Sequence, residues 1–145
     1  MSNDSFFDLA DQNLDDAIEP KAAPAGEYTV EIMDWRTDAN KNVVQKDKND
    51  LPYVMPILQV VECPEAEYAK QFSHFLRIPS KDLKAKDLNA AKWNLKVFCL
   101  AFGIDYTSRF DWTDCIGLRA ECILKVDADT GYGEQNAISK FIEPR

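Results

Sequence analysis

Residues 70–78, KQFSHFLRI, are followed after Pro79, Ser80 and Lys81 by residues 82–102, DLKAKDLNAAKWNLKVFCLAF, and the change of period between the two decides the fold. In the first stretch Phe72, His74, Leu76 and Ile78 alternate with Gln71, Ser73, Phe75 and Arg77, the two-residue period of a strand. In the second, Leu88, Ala91, Leu95, Phe98 and Phe102 fall on one stripe and Asn89, Lys92 and Lys96 on another, the 3.6-residue period of a helix. Gly103 then supplies a natural helix C-cap.

Strand patterns flank this strand-to-helix switch on both sides. Towards the N-terminus, Gly26 opens the body of the chain and residues 27–35 alternate, with Tyr28, Val30 and Ile32 on one face and Thr29, Glu31, Met33 and Trp35 on the other. Residues 36–50 are polar and rich in Asn, Asp and Lys, which predicts a long exposed loop. Residues 51–62 form a second strand, placed at an edge or a bend by Pro52 and Pro56, and 64–69 a turn. Towards the C-terminus, residues 104–117 read as a loop holding Tyr106, Phe110 and Trp112. Residues 118–126 are a fourth strand with Ala120, Cys122, Leu124 and Val126 inward, 127–135 a turn, and 136–142 a fifth strand. The expected fold class is mainly β (α+β): five strands with one helix between strands 3 and 4, the element order of the OB-fold, a small Greek-key barrel.

Ahead of this body lies an acidic leader and linker, residues 1–25, so the expected division is 1–25 and 26–145. Residues 4–18 fit a short amphipathic helix with a capping box at Ser5 and Asp8, running into Pro20 and Pro24. The whole chain of 145 residues carries a net charge of −8, a balance that by itself argues against a nucleic-acid partner. Its distribution reverses that argument. Residues 1–20 hold six acids and no base, leaving −2 for the rest. Residues 36–48 carry four bases (Arg36, Lys41, Lys46, Lys48) against two acids, and residues 70–96 seven bases against two. No apolar run approaches the roughly 20 residues that span a bilayer, and no signal peptide is evident, so the expected setting is a cytoplasm, that of the host if the chain is viral.

Enzyme chemistry finds little support. The four cysteines, Cys63, Cys99, Cys115 and Cys122, form no C-x-x-C pair, and the one histidine, His74, lies mid-strand without a triad partner, so neither a zinc site nor a nucleophile is expected. Phosphate-loop, dinucleotide and nucleophile-elbow motifs are absent. The segment 127–131 begins like a calcium loop, but the twelfth position is Ile138 where a bidentate Glu is needed. No catalytic residue, metal or cofactor is expected.

A single-stranded nucleic-acid module fits better, because it needs cations along the backbone and rings under the bases. The candidates are Trp35 and Arg36 at the mouth of the 36–50 loop; Lys41, Lys46 and Lys48 within it; Tyr53 after it; Phe75 and Arg77 on strand 3; and Tyr132 and Lys140 around the last turn and strand. Trp93, between Lys92 and Lys96, is read as a helix packing residue, and Phe72 as core. The competing readings are an acidic protein-interaction module and a DNA-mimic inhibitor, each facing a basic partner.

Several segments resemble phage-encoded single-stranded DNA-binding proteins of the OB type: the leader FFDLADQNLDD (6–16), Pro-Ala-Gly-Glu-Tyr (24–28), KWNLKVFCLAFGI (92–104), CIGLRAECILKVD (115–127) and YGEQNAISKFI (132–142). The resemblance implies an accessory of DNA replication or recombination that coats single strands with little sequence preference, alone or as an oligomer. Many such proteins end in an acidic tail that recruits partners, whereas this sequence ends FIEPR. The expectation is that the leader does a comparable job, through Phe6, Phe7, Asp8, Asp11, Asp15 and Asp16, docking on replication or recombination proteins or lying over its own basic groove.

Overall fold

A computed structural model describes residues 13–62, 68, 70–128 and 133–142. The chain runs β1 (Gly26–Trp35), β2 (Gln45–Lys46), β3 (Pro52–Val54), β4 (Pro56–Val61), β5 (Phe72–Ser73), β6 (Leu76–Arg77), α1 (Ala85–Phe102), β7 (Arg119–Asp127) and β8 (Gln135–Phe141). Five of these strands form one curled antiparallel sheet in the order β5-β4-β1-β7-β8, a half-barrel. The short strands β2, β3 and β6 make a second, three-stranded sheet.

The second and third predicted strands each serve both sheets. The 51–62 strand breaks at Met55, between β3 and β4, and Pro52 and Pro56 open the two halves. Proline has no N–H to give a ladder, so it is tolerated at such a strand start. The 70–78 strand breaks at His74 and Phe75, between β5 and β6. The predicted loop 36–50 is also more ordered than its composition suggests. Asp38 Oδ1 accepts the N–H groups of Asn40 and Asn42, and Asp47 Oδ1 those of Asn49 and Leu51. These two aspartate turns bring Gln45 and Lys46 alongside Tyr53 and Pro52.

The helix starts at Ala85, three residues later than its periodicity predicts, and ends as expected at Gly103, whose φ of 72° suits glycine. The Ile104 N–H reaches back to the Cys99 carbonyl at 2.8 Å, and Ile104 is buried. The buried face of α1 carries Ala91, Phe98, Cys99, Ala101 and Phe102 and packs on β6, β7 and β8. Phe98 is the centre of the core, with rings of Phe102, Phe141, Trp35 and His74 at 4.6, 5.7, 6.3 and 6.3 Å. Burial of one such ring contributes about 1.5–3 kcal/mol.

Trp35 requires a correction. Its predicted place on the face opposite Val30 and Ile32 does not hold: it is 3% exposed and packed on Phe98 and Trp112. The cause is an irregularity in the pairing of β1 with β4 between Ile32 and Asp34. The extra residue, Met33, shifts the side-chain alternation by one, so Val30, Ile32 and Trp35 all point inward. The indole Nε1 has no hydrogen-bond partner among the described residues. Trp35 is therefore a core residue and not a surface for stacking a base.

The leader and linker also differ from expectation. Residues 1–12, with Phe6, Phe7, Asp8 and Asp11, lie outside the described residues. From Asn13 onward the amphipathic helix is replaced by a single 3-10 turn, Leu14–Asp16, after which Ala17 is extended. Leu14 and Ile18 are exposed, as are Asp15 and Asp16. The linker does not hang free. Ala23 is fully buried, its N–H donates to Asn136 Oδ1 at 2.8 Å, and its carbonyl accepts from Asn136 Nδ2 at 2.9 Å. A side chain of β8 thus pairs with the linker backbone as a neighbouring strand would.

Candidate functional site

The small sheet has one inward and one outward face. Val54 and Leu76 pair across β3 and β6 and are buried. Gln45, Tyr53 and Arg77, one per strand, are cross-strand partners on the opposite face. Phe75 precedes Arg77 by two residues and joins them. Its ring stacks on Tyr53 at 5.1 Å and 27° and is 48% exposed. The Tyr53 hydroxyl is 3.3 Å from Gln45 Oε1.

Two arginines frame this aromatic pair. Arg36 leaves the end of β1, its Nε donates to the Ser73 hydroxyl, and its carbonyl accepts from Gln45 Nε2 at 3.1 Å. Arg77 lies over the Phe75 ring at 5.0 Å, donates to the Leu51 and Pro52 carbonyls, and pairs with Asp47 at 2.8 Å. The Leu51 N–H bond and the Arg77 contact hold the Asp47 carboxyl below its ordinary range. Arg77 is thus largely occupied in fixing the 47–52 turn beneath the rings, and its charge is matched. Arg36 is exposed and has no carboxylate partner among the described residues. The loop that carries β2 also holds Lys41, Lys46 and Lys48. Lys41 sits in a left-handed turn position at φ 65°, Lys46 is loosely paired with Asp50 at 3.6 Å, and Lys41 and Lys48 are exposed and make no ion pair among the described residues.

The expected residues therefore divide. Arg36, Lys41, Lys46, Lys48, Tyr53, Phe75 and Arg77 belong to the small sheet and its loop. Lys140 is exposed on β8, beyond Phe75 across the open edge of the large sheet. Tyr132 lies outside the described residues, and Trp35 is in the core. Ser73 and Gln45 were not anticipated. Only the strand register, which places one beside Arg36 and the other beside Tyr53, shows them.

Cys63 lies outside the described residues, and Cys99, Cys115 and Cys122 are buried. Desolvation pushes Cys99 up to about 11 and Cys122 up to about 12, so both thiols stay protonated at neutral pH. His74 is pushed down to about 4 by burial and is neutral; its ring contacts are Phe98 and Phe141. Among the described residues no helix is long and apolar enough to cross a membrane. No protein-family model matches the chain, and no curated protein matches it.

Proposed function

We propose that this protein is an OB-type module that binds single-stranded DNA with little sequence preference, of the kind that serves phage replication and recombination. The observation that carries the proposal is the outward face of the small sheet. A stacked pair, Tyr53 and Phe75, has Arg77 over one ring and Arg36 bonded to Ser73 and Gln45 nearby, in a sheet whose 36–50 loop bears three lysines. Rings accept any base on their π-faces, and cations follow the backbone, so this composition favours affinity over sequence readout.

The strand order supports the OB assignment. Taking β3 with β4 and β5 with β6 as single bent strands, the large sheet runs third, second, first, fourth, fifth. Its two outer members approach each other: His74 meets Phe141 at 5.5 Å, and Lys70 Nζ donates to the Glu134 carbonyl at 2.8 Å. An OB barrel is five-stranded and partly open and binds across its second and third strands and its first loop, and the reading proposed here uses the same elements.

The test is fluorescence anisotropy of a labelled oligo-dT against salt. Four phosphate contacts, from Arg36, Lys41, Lys46 and Lys48, give a slope of log affinity against log salt of about −3. Phe75→Ala removes one stacking platform, about 1–3 kcal/mol, for every base composition alike. An absence of binding at low salt removes the proposal and returns the acidic protein-interaction and DNA-mimic readings.

A further inference from the structure

We infer that the groove between α1 and β8 is a second base-binding station, and that a single strand lying on Tyr53 and Phe75 continues over Phe75 into it; this rests on the single-strand reading above. The groove follows the open edge of the half-barrel, where β8 has no hydrogen-bonded strand neighbour beyond β7 among the described residues. Its cavity is about 710 Å³, with walls that include Phe75, Trp93, Val97, Ile138, Lys140 and Ile142. That volume lies within the roughly 300–1,000 Å³ of small-molecule sites.

Three features select the ligand. The first is continuity, because Phe75 belongs both to the stacked pair and to the groove wall. The second is an exposed ring with a cation beside it. Trp93 is 58% exposed, the most exposed aromatic side chain among the described residues, and Lys96 Nζ lies 5.9 Å from its ring centre. An indole spent on helix packing would be covered. The third is charge. In a chain with 25 acids, no carboxylate among the described residues lines the groove, while Lys140 does. Asn94 and Ser139 add polar groups that can meet a base edge or a phosphate. Rings, a cation and an absence of acid suit a polyanion carrying flat bases.

The experiment uses the full chain and two oligo-dT lengths, about four and about twelve nucleotides, within the site sizes of single modules. Trp93→Ala combined with Lys140→Gln is expected to weaken the longer oligomer about tenfold or more and the shorter one less than twofold, with Trp93→Phe restoring most of the loss. Wild-type emission is expected to be quenched by the longer oligomer and the quench lost in Trp93→Phe, since Trp35 is buried and Trp112, packed on Trp35 and Phe110, does not line the groove. Equal affinities of the double variant and wild type at both lengths, with Phe75→Ala still weakening binding, would overturn the inference and leave the primary site standing. No binding by wild type at either length would overturn both. A Trp93 response to a synthetic peptide of residues 1–20 and none to oligo-dT would overturn the inference in favour of an acidic peptide in the groove.

Discussion

Replacing Trp35 separates a core role from a binding role. Its indole is 3% exposed and in edge contact with Phe98 at 6.3 Å and Trp112 at 5.1 Å. Trp35→Ala deletes a bicyclic ring from a region that Phe98 also fills, and such truncations cost about 3–5 kcal/mol. Against a typical total of 5–15 kcal/mol this is a large fraction, equivalent to a fall in melting temperature of about 10 °C or more. Trp35→Phe behaves differently. It loses part of the ring, but also removes the indole N–H that has no partner among the described residues, a group that costs about 1–3 kcal/mol to bury. The two effects oppose, so its net cost is below about 1.5 kcal/mol. Urea unfolding followed by far-UV circular dichroism measures both variants without depending on indole emission. A cost below about 1 kcal/mol for Trp35→Ala would refute the packing argument. A well-folded Trp35→Phe protein that lost tenfold or more in oligo-dT affinity would return Trp35 to the binding face.

Further outcomes follow from other contacts. His74 has a folded pKa of about 4 against an ordinary value of 6.5, so between these values the unfolded chain binds the extra proton. Stability therefore falls as pH drops from about 6.5 to 4, by at most about 3 kcal/mol, and urea melts of wild type and His74→Asn across that window should converge towards the acid end. Asn136→Ala strands the N–H and carbonyl of buried Ala23, at a cost of about 2–4 kcal/mol, and should speed tryptic cleavage after exposed Lys21; unchanged cleavage would deny the clamp. Arg77→Met keeps a stem over Phe75 but releases Asp47 and the carbonyls of Leu51 and Pro52, so the Leu51 amide should exchange faster at a stability cost of about 1–2 kcal/mol.

Much of this architecture is legible in local sequence because it rests on local periodicity. The two-residue alternation of 27–32, 71–78 and 118–124 and the helical stripe of 88–102 state which side chains face inward, and the outward placement of Phe75 and Arg77 follows from the same alternation. Val126, expected inward, is 36% exposed because it lies past the pairing of β7 with β1, which ends at Leu124. What was not legible depends on pairing. The irregularity at Met33 reverses the parity that alternation assigns to Trp35, and no glycine or proline marks it. Strand β2 is two residues long and exists because two aspartate turns deliver it to Tyr53. The Ala23–Asn136 contact joins positions 113 apart, and the groove joins α1 to β8. The exposure of Trp93, expected as a packing residue, is illegible for the same reason. Helical spacing gives its stripe, but only the tertiary structure shows that it is 58% exposed.

The most direct measurement of the central claim is an amide chemical-shift titration of the full chain with oligo-dT. The account predicts that the largest shifts fall on Arg36, Gln45, Lys46, Tyr53, Ser73, Phe75 and Arg77 and recede as salt is raised. Shifts confined to the outer face of β1 and β7, around Glu31 and Arg119, or no shifts at low salt, would contradict it.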